Sequence, residues 1–160
     1  DDNAQIMLRF ANGARGSLWA SQVAVGHENG LRIRIYGDQA SLEWFQEQPN
    51  QLKFCRLGDT AQYLTRGGTA AGDAANAVTR IPGGHPEGFL EAFANLYRDF
   101  ADQIEAFTAQ GPANDIELLV PSVTEGVKGV VFVEKAVASS ENGSVWVSMD
   151  YRGPAAKEGF

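Results

Sequence analysis

Two histidines, one cysteine and a few carboxylates beside glycines are the side chains from which chemistry could be built in this sequence. His85 stands in Pro82-Gly83-Gly84-His85-Pro86-Glu87-Gly88-Phe89, and His27 in Gly26-His27-Glu28-Asn29-Gly30. Polar clusters on loops held by a rigid scaffold are where binding residues concentrate. His85, Glu87, His27 and Asn29 are therefore the candidates for contact with a substrate. The competing readings are structural. His85 or its neighbours simply start a helix, and His27 simply lies on a surface loop.

Other chemistries find little footing. No Cys-x-x-Cys or His-x-x-x-His pair exists, which argues against a protein-made zinc site. His85 with Glu87 and Glu91 offers a mixed nitrogen and oxygen set if the two carboxylates share a helix face. The simpler reading of those carboxylates is a solvated first helical turn, where the helix dipole favours negative charge. Cys55 lies in a strand pattern near Lys53 and Arg56, and a thiol in such a place is usually buried and inert. No G-x-S-x-G elbow is present, and nothing singles out a carboxylate pair. A dinucleotide site would show G-x-G-x-x-G between a strand and a helix. The nearest string, Gly67 to Gly72, has the wrong spacing and opens no apolar helical pattern. The chain alone is thus expected to bind no cofactor or metal and to hold no catalytic residue.

The elements that must position the candidates read as strands first and helices later. Ala4, Ile6, Leu8 and Phe10 alternate with polar neighbours, the pattern of a half-buried strand. Asn12-Gly13 is a strong hairpin signal, with φ > 0 expected at both turn residues. Further strands are expected at 16–25, 31–36, 41–47 and 51–56, with a short one around Tyr63-Leu64. Turns this short make neighbouring strands mostly antiparallel. Residues 67–84 read as a long loop without period. Phe89, Phe93, Leu96, Phe100, Ile104 and Phe107 form one stripe on a helix of about five turns. Pro86 suits its first turn and Gly111-Pro112 its end. Ser122 and Glu125 form a capping box for a second helix ending at Asn142-Gly143. Val145 to Met149 reads as a last strand, and 153–160 as a loose tail.

This order predicts an α+β fold with an open, predominantly antiparallel sheet and helices packed on one face. Trp19, Tyr36, Trp44, Phe45 and Phe54 cannot all lie under two helices, so the other sheet face carries aromatics too. A wide apolar sheet face usually meets a partner. A homo-oligomer through the open sheet face is the expectation.

The totals set the frame. At 160 residues the chain suits a single domain, 1–160, with room for a real core. A net charge of −7 argues against nucleic acid and anionic membranes as partners. One cysteine allows no internal disulfide and suits a reducing, cytoplasmic setting. The start, Asp1-Asp2-Asn3 running at once into a strand pattern, suggests a piece of something longer.

Several stretches together resemble the carboxyl-terminal domain of the Gfo/Idh/MocA oxidoreductases, the glucose–fructose oxidoreductase and inositol dehydrogenase family. Phe10-Ala11-Asn12-Gly13-Ala14-Arg15-Gly16-Ser17-Leu18 looks like that family's F-x-N-G-x-x-G hairpin. Gly26 to Leu31, Ile35-Tyr36-Gly37 and Ser41-Leu42-Glu43-Trp44 resemble its next strands. Gly84 to Phe89 with Glu91-Ala92-Phe93 resembles its loop and long helix, and Glu125-Gly126 to Ala136 with Trp146-Val147 its closing helix and strand.

The resemblance implies a parent with its own amino-terminal Rossmann domain binding NAD or NADP, acting on a sugar, polyol or derivative by hydride transfer. It also implies that the His85 loop borders the substrate pocket. The family's Glu-Lys-Pro motif, with its catalytic lysine, and its Gly-rich segment with aspartate and histidine are missing here, so no catalytic role carries over. The expected function is the substrate-binding and oligomerisation domain of an NAD(P)-dependent oxidoreductase, inactive alone. The alternative is a free-standing, non-catalytic binding or scaffold module of the same fold.

Overall fold

A computed structural model describes residues 2–110 and 120–150. The order is β1 (Asn3–Arg9), β2 (Arg15–Ser21), β3 (Arg32–Tyr36), β4 (Ala40–Phe45), β5 (Gln51–Arg56), β6 (Gln62–Thr65), α1 (Asp73–Ala77), α2 (Phe89–Gln110) and α3 (Val123–Glu141). The fold is α+β, with antiparallel sheets and helices. It divides into two compact units: Asp1–Val23 with Glu105–Phe160, and Ala24–Ile104.

In the first unit, β1 and β2 form an antiparallel hairpin with Gln5 opposite Trp19 and Ile6 opposite Leu18. The expected alternation holds for Ala4, Ile6 and Leu8, which are half-buried between exposed neighbours, but Phe10 lies past the end of β1 and is exposed. The turn differs in detail from the expectation. Gly13 alone takes positive φ, at 91°. Gly13 N donates to Phe10 O at 2.9 Å and Phe10 N to Ala14 O at 3.0 Å, the pattern of a longer loop closed by a left-handed glycine. Asn12 contributes its side chain instead, Oδ1 accepting from Ala14 N at 3.1 Å. Asn3 Oδ1 accepts from Trp19 Nε1 at 2.7 Å.

Helix α3 starts and stops as its sequence says. Ser122 Oγ accepts from Thr124 N, and Glu125 reaches back to Ser122 N at 3.2 Å, completing the capping box. At the far end Asn142 is the C-cap and Gly143 has φ 82°. Ser144 N donates to Ser139 O and Gly143 N to Ser140 O, the paired bonds of a Schellman ending. The strand expected at Val145 to Met149 is absent: this stretch has no regular structure and pairs with no described strand. A strand exists only where another edge offers hydrogen bonds. Trp146 takes another role, with the Arg9 guanidinium 3.7 Å above its ring.

In the second unit, β3-β4-β5-β6 is a four-stranded antiparallel meander. The continuous sheet expected from sequence is thus two sheets among the described residues, since no ladder joins β2 to β3. Register sorts the side chains. Ile33, Trp44, Leu52 and Leu64 make one row across the four strands, and Arg34, Glu43, Lys53 and Tyr63 make a row on the opposite face. Of the aromatics expected on one sheet, Trp44 and Phe54 share one face and Tyr36 and Phe45 the other, while Trp19 lies on the β1–β2 hairpin instead. On that second face Glu43 pairs with both Arg32 and Lys53, and the Arg32 hydrogen bond is the main cause holding the Glu43 carboxyl below its usual range.

The long loop after β6 contains one short helix, α1. Helix α2 begins at Phe89, so Pro86 lies ahead of its first turn rather than in it. Its apolar stripe is present but open: Phe89 is 67% exposed and Phe100 55%. No apolar side chain among the described residues is buried, so the packed core expected from the length and composition is not closed within them. The expected helix end at Gly111-Pro112 and the tail 153–160 lie outside the described residues.

Candidate functional site

The only buried residue among the described ones, Glu87, lies in the segment leading into α2. Its side chain is 5% exposed. Two groups hold it. Arg80 N donates to Oε1 at 2.9 Å, and Arg66 Nη1 lies 2.5 Å from Oε2. The second contact is ionic rather than an aligned hydrogen bond. A buried carboxylate without a cation would be strongly disfavoured, so the pairing is what permits the burial.

Arg66 sits just past β6 and its guanidinium reaches across the whole segment. Nε donates to Asn50 Oδ1 at 2.8 Å, Nη1 to Ile81 O at 2.7 Å, and Nη2 to His85 O at 2.7 Å and, more weakly, to Pro82 O at 3.5 Å. With Glu87 beside Nη1, every direction of the planar fork has an acceptor or an anion, a demand that lysine could not meet. Arg80 ties the same segment to α2, through Asn95 Oδ1 at 2.6 Å and Glu91 O at 3.5 Å.

The start of α2 uses Glu91. Its Oε2 accepts from Gly88 N at 2.9 Å, which is the first cause of a carboxyl pKa held below the usual range. Glu87 and Glu91 thus do different work. Glu87 precedes the helix and faces inward, so the two do not share a helix face. The mixed metal set of His85, Glu87 and Glu91 does not assemble, and no group of three potential ligands stands together among the described residues.

His85 itself is exposed. Its ring Nδ1 lies 3.2 Å from Pro82 O, while its own N–H donates to the same carbonyl at 3.3 Å. His27 and Asn29 are exposed on the loop between β2 and β3. That loop is fixed through backbone, His27 N donating to Ala24 O and Leu31 N to Asn29 O. No hydrogen bond or ion pair joins it to the His85 segment among the described residues. Beside Glu87, the β4–β5 turn at Pro49 and Asn50 and the α2 start at Gly88 to Leu90 border an open depression.

Sequence reasoning singled out Glu87 but not Arg66, Arg80 or Asn50. Each is an ordinary polar residue near a turn: Asn50 and Arg66 are distant in sequence from residues 81–87, and Arg80, though adjacent to them, fits no pattern that marks it. The signal is the fold itself.

The chain belongs to the Gfo/Idh/MocA oxidoreductase family, matching its C-terminal alpha/beta domain over residues 1–149. It is 38% identical over 147 residues to an uncharacterized oxidoreductase, YfiI, of Bacillus subtilis, covering 92% of this chain and 37% of that protein. A crystal structure of an oxidoreductase from Sinorhizobium meliloti is 45% identical, with a TM-score of 0.86 over 92% of this chain and 41% of that one. An inositol dehydrogenase homologue from Azotobacter vinelandii, solved with NADH and myo-inositol, is 42% identical, with a TM-score of 0.88 over 94% of this chain and 39% of that one. The chain therefore spans about two fifths of the length of these relatives. Among the described residues no helix is long and apolar enough to cross a membrane.

Proposed function

We propose that this chain is the substrate-side and assembly domain of an NAD(P)-dependent oxidoreductase that acts on a polyol, sugar or derivative. One observation carries the reading: near-complete coverage of this chain at 42% identity by a homologue solved with NADH and myo-inositol. In this reading the nicotinamide cofactor, NAD or NADP, belongs to an amino-terminal Rossmann domain, and hydride transfer happens there. This chain supplies a wall of the pocket. His85 is the foremost contact to substrate hydroxyls, being exposed and held in place from behind. His27 and Asn29 are the second group, and Glu87 serves by holding the His85 segment in shape. The open sheet face and the exposed stripe of α2 are the surfaces for assembly, with a second copy of the protein and with the Rossmann half.

The experiment is enzymatic. The full open reading frame that contains this sequence is expressed and assayed for reduction of NAD+ or NADP+ against myo-inositol and related polyols and sugars. The expected result is saturable, polyol-dependent reduction, with no saturable NADH or NADPH binding by residues 1–160 alone. Micromolar nucleotide binding by this chain alone, or a reading frame with neither a Rossmann fingerprint nor a Glu-Lys-Pro motif, refutes the reading.

A further inference from the structure

The clamp behind His85 fixes more than the path of the backbone. Pro82 O is a carbonyl oxygen and can only accept. The contact from His85 Nδ1 at 3.2 Å is favourable only if Nδ1 carries a hydrogen. Which ring nitrogen of a histidine is protonated is set by the hydrogen bond that the other makes. Here that leaves Nε2 with a free lone pair, on a side chain exposed to solvent. Pro82 O does not hold its position by chance. It receives His85 N at 3.3 Å and Arg66 Nη2 at 3.5 Å, and Arg66 also binds the carbonyls on either side of it, Ile81 O and His85 O, each at 2.7 Å. Arg66 is in turn oriented by Asn50 Oδ1 and Glu87.

We propose that Arg66 is a positioning residue: through Pro82 O it locks neutral His85 in the Nδ1–H tautomer and presents Nε2 as an open hydrogen-bond acceptor. The group it suits is a donor such as a hydroxyl; that this hydroxyl belongs to a polyol rests on the function proposed above. A histidine without such a partner has no reason to hold this tautomer. His27 is that histidine in the same chain, exposed and with no ring hydrogen bond among the described contacts.

The test needs no ligand, so its outcome is separate from that of the polyol assay. The 15N-labelled chain is examined by long-range proton–nitrogen correlation at about pH 8.5, some two units above the ordinary imidazole pKa of ~6.5. His85 is expected to show a protonated Nδ1 and a bare Nε2, while His27 shows the tautomer mixture of free imidazole. In Arg66→Met the His85 pattern should collapse onto that of His27, with amide shifts of β3 and β4 unchanged. If that variant does not fold, Arg66→Lys keeps the charge beside Glu87 but loses the fork, and His85 should move towards the His27 pattern. An Nε2–H tautomer at His85 in the wild-type chain overturns the proposal, as does a His85 pattern that ignores both substitutions.

Discussion

Arg66 Nη1 and Glu87 Oε2 stand 2.5 Å apart, with side chains 14% and 5% exposed, and the carboxylate is the most enclosed polar group described. A pair this shielded adds little stability by existing, because both ions lost their hydration. It exerts a large effect when broken, because one ion then stays behind unpaired.

Glu87→Gln keeps the shape and removes the charge, so Arg66 is left without its anion. Loss of one partner of a buried pair costs about 3–5 kcal/mol. The urea midpoint should fall accordingly, and amides of residues 80–88 should exchange faster than those of β3 to β5. A midpoint within error of wild type would mean that water reaches the pair freely.

Glu91 gives the acid response of α2. Its carboxyl is held below the usual range mainly by the Gly88 N–H, so the folded form binds the proton less readily than the unfolded form. The stabilisation is fully present above the ordinary carboxylate pKa and fades as pH falls through the depressed value. Glu91→Ala should lower the thermal midpoint at neutral pH, and the difference from wild type should shrink on acidification. A difference that grows towards low pH would show the sign to be wrong.

Gly143 closes α3 at φ 82°, a conformation that costs a residue with a Cβ roughly 1–2 kcal/mol. Gly143→Ala should destabilise by that amount in denaturant titration, whereas the same change at Gly129, inside α3, where an added Cβ meets nothing within 4 Å, should be neutral or stabilising. Equal effects at the two sites would contradict the Schellman ending.

Tyr36 and Tyr63 lie on the Arg34–Glu43–Lys53 face of the meander, 73% and 63% exposed. If this face assembles, sedimentation equilibrium should give a dimer or larger, and Tyr63→Glu should shift it towards monomer. A clean wild-type monomer at high concentration would sink the sheet-face interface.

Much of the fold was written in local pattern. The alternation of Ala4, Ile6 and Leu8, the Asn12-Gly13 turn, the Ser122–Glu125 capping box and the Asn142-Gly143 stop all depend on neighbours within a few residues. Such features are legible because backbone sterics and short hydrogen bonds act along the chain itself. His85 was legible as a candidate for the same reason, standing among glycines and prolines before an apolar helical stripe.

The rest was decided in three dimensions. Whether Val145 to Met149 becomes a strand depends on a distant edge, and no described strand supplies one. Whether β2 and β3 share a sheet is likewise a question of pairing, not of pattern. The solvated carboxylate expected at Glu87 became the buried one because Arg66, far along the chain, folds back with its guanidinium at the same point. Sequence alone set the turns and caps that act within a few residues and which loop carries the histidine. Only tertiary structure could decide which charges meet, because burial and Coulomb attraction depend on distance in space rather than separation along the chain.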